Sequence, residues 1–96
     1  MPHNPNTLEQ EIKALLERGK VQQVILLMED YVRAGNQMND SLYYLWGNAY
    51  RKMGDIPGAM NLYSEAIRLN PGSPARYALS AASDVMAFYN VNMFNQ

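Results

Sequence analysis

An all-α fold follows from three features of the chain. Apolar residues recur at three- and four-residue spacing, turns containing Gly, Pro or Asn separate those stretches, and nowhere does the two-residue alternation of a strand persist. At 96 residues there is material for one core and not for a second domain with its own. Hydrophobic residues at 48% against 18% charged place the chain among globular proteins rather than disordered ones.

The periodicity predicts five helices. The first spans about residues 7–18: Thr7 and Gln10 are spaced as a capping box, Leu8, Ile12, Leu15 and Leu16 form its apolar face, and Gly19 ends it. The second covers about 21–34, carries Val24, Ile25, Leu27, Met28, Tyr31 and Val32, and is closed by Gly35-Asn36. The third covers 40–53 and stops at Gly54. Asp55 is placed to cap the fourth helix, Pro57 lies in its first turn where a missing N–H is harmless, and Asn70-Pro71-Gly72 stops it. Ser73-Pro74 then reads as the cap and first-turn proline of a fifth helix reaching about Asn90. Short turns between helices of this length make antiparallel neighbours.

Composition excludes several functions. A formal net charge of −1, with neither sign dominating any third of the chain, does not supply the basic patch that nucleic acid or anionic lipid requires. With no cysteine there is neither a disulfide framework nor a thiolate metal site. The amino terminus lacks the charged and apolar regions of a secretory signal, and the longest apolar run, Val24 to Met28, is far short of the ~20 residues of a membrane span. A cytoplasmic location is therefore expected. The single histidine, His3, has no ligand or base beside it, and no carboxylate is spaced with a nucleophile, so neither a catalytic centre nor a cofactor or metal site is expected.

Residues 40–73 hold the most specific signal. Tyr43, Trp46-Gly47, Tyr50, Gly54-Asp55, Ala59, Tyr63, Ala66 and Asn70-Pro71 follow one another at fixed intervals. This pattern resembles the tetratricopeptide repeat, a helix–turn–helix unit of about 34 residues. The resemblance implies that Gly47 and Ala59 sit where two helices cross, with the aromatics filling the space around them. Aligning Gly19 with Gly54 places Ile12, Val24 and Tyr31 where the family has Gly, Ala and Ala, so residues 5–38 read as a degenerate first repeat with a wider crossing. Residues 74–90 read as a capping helix, in which Tyr77 and Ala81 fall on the aromatic and small positions of a third repeat, and 91–96 as a tail. The architecture implied is an α-solenoid of two antiparallel helix pairs plus a C-terminal capping helix, similar to short stand-alone bacterial members of the family.

Such arrays bind a peptide or a partner helix in the concave groove lined by the first helix of each unit. The resemblance carries that role onto Glu9, Lys13 and Leu16, onto Ser41, Tyr44, Asn48, Arg51 and Lys52, and onto Ala78, Ala82 and Val85. An acidic group would sit near Arg51 and Lys52. The carboxylate clamp that some members use for chaperone tails is missing, since its positions here hold Leu45, Ala75 and Leu79. The fifth helix also bears two apolar faces: Ala78, Ala81, Ala82, Val85 and Tyr89, expected to lie on the fourth helix, and Leu79, Met86 and Met93 with Phe88 and Phe94 nearby. From Pro74 onward only Arg76 and Asp84 are charged, whereas a capping helix normally turns a polar face to water. Two readings stand: the tail beyond Asn90 folds back over the second stripe, or the stripe serves self-association as a homodimer or in completing a neighbour's solenoid. The function expected is a non-enzymatic protein-interaction module.

Overall fold

A computed structural model describes the backbone of residues 5–94 and the side chains of 6–89. Five helices follow one another: α1 (Pro5–Glu17), α2 (Val21–Arg33), α3 (Asp40–Met53), α4 (Ile56–Leu69) and α5 (Ala75–Phe94). α3 packs on α1, α2 and α4, while α4 packs on α3 and α5. Contact that passes from neighbour to neighbour along the chain is the mark of an α-solenoid, in which each unit is stabilised by the next.

Local chemistry sets the helix ends. Asn39 caps α3 by accepting the Leu42 N–H at 2.8 Å, and Asp55 caps α4 by accepting the Gly58 N–H at 3.0 Å. Gly54 lies between them at φ 92°, a left-handed conformation that costs a side-chain-bearing residue dearly. There the Gly54 N–H bonds to the Arg51 carbonyl and the Asp55 N–H to that of Tyr50, so two orphan carbonyls of α3 are satisfied as the chain reverses. Ser73 is buried, and its hydroxyl accepts the Ala75 N–H at 3.0 Å to start α5.

Two helix boundaries differ from the sequence reading. α1 begins at Pro5, whose fixed φ suits a first helical position, so Thr7 lies inside the first turn rather than at the cap. α5 does not stop at Asn90 but continues to Phe94, because no Gly or Pro follows Pro74 to break it. The backbone through Phe94 therefore does not fold back over the helix. His3 lies outside the described residues, as do the side chains of Met93 and Phe94.

The core has two parts. Leu8, Ile12 and Leu16 of α1, Val24, Ile25 and Met28 of α2, and Leu42, Leu45 and Ala49 of α3 form the first. Ala59, Tyr63 and Ala66 of α4 with Ala75 of α5 form the second, and Tyr44 and Tyr50 of α3 pack against both. The two helix pairs cross differently. α3 and α4 approach closely because Gly47 faces Tyr63 and Ala59, whereas Ile12 and Val24 occupy the corresponding places between α1 and α2, which touch sparsely.

α5 is rotated from the orientation expected. The residues it turns toward α4 are Ala75, Ala78, Leu79 and Ala82, one turn apart on a single face. Ala82 is buried and so is not open to a groove, while Ala78 and Leu79 are half-buried against the second core. Met86 is half-buried. Ala81, Val85 and Tyr89, expected to lie on α4, are exposed. Small side chains on both helices permit close approach, and the bulkier Tyr77, Phe88 and Tyr89 are left outside.

Candidate functional site

The first helix of each pair shapes one side of the molecule. On α3, Tyr44, Asn48, Arg51 and Lys52 recur at helical spacing and point the same way; on α1, Lys13, Leu16 and Glu17 do so. Together they line an open hollow of about 550 Å³ between the two helices, within the roughly 300–1,000 Å³ range of ligand sites. Leu16 is buried at its floor, Tyr44 and Asn48 are half-buried in its wall, and the three cations and Glu17 are exposed at the rim.

The wall is held from behind by α4. Tyr63 is fully buried, its ring 6.0 Å from that of Tyr44 at a tilt of 39°, and its hydroxyl lies 2.6 Å from Asn48 Oδ1. Burial raises the Tyr63 pKa above its ordinary 10.0, and the nearby Arg51 guanidinium opposes part of that rise. The phenol is therefore neutral and available as a donor at physiological pH. The lining carries three cations against one carboxylate, so the hollow has a net positive charge.

Six of the residues expected in the groove meet here: Lys13, Leu16, Tyr44, Asn48, Arg51 and Lys52. Glu9 and Ser41 are half-buried earlier on the same two helices and do not line the hollow. Val85 is exposed on α5, which contributes nothing to the lining. Sequence reasoning missed Glu17 and Tyr63. Glu17 follows Lys13 by one turn, so helical spacing alone could have found it. Tyr63 could not be found that way, because its role depends on how far α4 slides under α3.

Among the described residues no group of His, Cys, Asp or Glu could hold a metal ion, and no helix is long and apolar enough to cross a membrane.

Residues 41–73 match the family model of the tetratricopeptide repeat. The chain is similar to Bacteroides fragilis protein BF1650, whose structure was determined in solution by NMR: the two share 41% sequence identity over 92% of this chain and 89% of that one, with a TM-score of 0.76. No match was found among curated proteins.

Proposed function

Because this chain belongs to the tetratricopeptide repeat family, whose domains bind proteins or peptides and are in general scaffolds rather than enzymes, we propose that it is an interaction module. It takes an extended peptide segment into the hollow between α1 and α3. An acidic group of that segment is held near Lys13, Arg51 and Lys52, and its apolar part rests on Tyr44 and Leu16. The observation that carries this reading is the convergence of cations, an amide and an aromatic on one open hollow, with the cations exposed at its rim. Binding adds contacts without any bond being made or broken.

The test uses fluorescence anisotropy with short acidic peptides at several salt concentrations. Affinity should fall with salt, and Arg51→Glu with Lys52→Glu should weaken it at least tenfold while helicity is unchanged. Equal binding by the wild type and the double variant would sink the reading.

One observation favours a second reading, self-association. Tyr77 is 78% exposed, Phe88 64% and Tyr89 56%, and with Val85 they form an apolar stripe along the outside of α5. Sedimentation over a wide concentration range decides it. Mass rising with concentration in the wild type, but constant in Tyr77→Ser/Phe88→Ser, supports association through this stripe. Constant mass near 10.9 kDa in both removes it.

A further inference from the structure

We infer that α5 pairs with α5 of a second copy of this chain, antiparallel about a two-fold axis at Ser80, with Arg76 of each copy facing Asp84 of the other. The inference rests on the self-association reading above and adds the occupant of the stripe, the helix direction and the residues that set the register.

The shape of the face emerges when α5 is compared with α3. On α3, Tyr43 and Tyr50 pack against Ala59, Tyr63 and Ala66 of α4, and Gly47 lies at the crossing, where a Cβ would stand 2.6 Å from Tyr63 Cε1. These residues mark the side of α3 that receives a neighbouring helix. One repeat further along, about 34 residues, the same places on α5 hold Tyr77, Ala81 and Asp84. All three are exposed, because α5 meets α4 with its opposite side, through Ala75, Ala78, Leu79 and Ala82. Phe88 continues the exposed side one turn beyond Asp84. At its middle stand Ser80 and Ala81, small and exposed, which lets a second backbone approach closely.

Charge decides what covers this side. Arg76 and Asp84 are the only charged residues from Pro74 onward, and both are exposed. Among the described residues neither side chain has a hydrogen-bond or ion-pair partner. Their spacing puts them about 12 Å apart along the axis, too far to meet within one helix, where pairs form three or four residues apart. They are, however, symmetric about Ser80. With a second α5 turned end for end about that residue, each guanidinium comes level with the other copy's carboxylate, and two ion pairs form. A parallel pair would set Arg76 against Arg76 and Asp84 against Asp84. Tyr77 and Phe88 are 78% and 64% exposed, and aromatic side chains offer on the order of 150–250 Å² each, so covering them in both copies removes roughly 400–700 Å² from water. Specific interfaces begin near ~1,200 Å², a size approached only when the small residues and the stems of Arg76 and Asp84 are included. The dimer is therefore weak and forms at high protein concentration.

The experiment is sedimentation equilibrium of the whole chain over a wide concentration range, with circular dichroism to confirm that each variant keeps its helicity. The wild type should approach twice 10.9 kDa and level off there. Arg76→Asp and Asp84→Arg each bring like charges together twice and should weaken association about tenfold or more. Mixed in equal amounts, these two variants should associate with each other, since every facing pair then has opposite signs. The double variant Arg76→Asp/Asp84→Arg restores both pairs and should dimerise nearly as the wild type does. Loss in each single variant with recovery in the double is specific to the antiparallel register. Constant mass near 10.9 kDa in the wild type overturns the self-association reading itself and leaves the stripe to a different partner. Mass that climbs past the dimer overturns the two-fold pairing, since a closed pair has no free face left to extend. A wild-type dimer that the charge variants form equally well overturns the antiparallel register alone.

Discussion

Replacing Gly47 by Ala puts one methyl group at the crossing of α3 and α4, and its cost can be worked from the structure. The new Cβ would stand 2.6 Å from Tyr63 Cε1, 2.7 Å from Cδ1 and 3.3 Å from the Ala59 carbonyl oxygen. Ordinary contact begins near 3.4 Å, so the ring must retreat by about 0.8 Å. Tyr63 has no exposed surface to retreat into, and Tyr44 backs it on one side. Overpacking of this kind costs ~1–3 kcal/mol, and dragging the phenol from Asn48 forfeits ~0.5–1.5 kcal/mol more. Against this, Ala is a better helix former than Gly by about 1 kcal/mol. The net expectation is a loss of ~1–3 kcal/mol, which for a domain of this size lowers Tm by about 5–20 °C. Thermal unfolding followed by circular dichroism measures it. Placing Gly47→Ala in a Tyr63→Val background removes the opposing ring atoms, and there the methyl should cost much less. An unchanged or higher Tm for Gly47→Ala alone would refute the argument, since helix propensity would then outweigh a clash that is not there.

Other expectations follow from the same contacts. Asn39→Ala removes the cap of α3 and should cost about 1 kcal/mol, while Asn39→Asp should keep most of the stability; denaturant midpoints distinguish them, and equal midpoints for all three proteins would dismiss the cap. The Tyr63 pKa is raised in the fold above its ordinary 10.0, so above that pH the unfolded chain releases a proton that the folded chain retains. The stability contributed is whole below pH 10 and is lost as pH climbs through the folded pKa. Tyr63→Phe should flatten this alkaline decline, and an unaltered slope between pH 9 and 12 would show that the buried phenol is not its source.

What could be read from residues alone was whatever depends on neighbours in sequence. The positions of α3 and α4 follow from Gly54, Asp55 and Pro57, because caps, left-handed turns and first-turn prolines act within four residues. The polar face of α3 that lines the hollow was readable for the same reason, since Tyr44, Asn48 and Arg51 share a side of any helix they form. α5 shows where this ends. Its residues are apolar or small nearly all round, so periodicity gives no preferred face, and the choice fell to α4, whose Ala59, Tyr63 and Ala66 pack with Ala75, Ala78 and Leu79 and leave Tyr77 and Tyr89 outside.

The sequence by itself determined that this is an all-α chain of short helices with a tetratricopeptide unit matched over residues 41–73, because periodicity and turn chemistry are local. Only the tertiary structure decided that Glu9, Ser41 and α5 stay out of the hollow, that α5 buries Ala75 and Ala82 and leaves its aromatics outside, and that Tyr63 reaches Asn48. Those depend on the distance and rotation between helices, which small and large side chains settle jointly across a crossing and which no single stretch of chain contains.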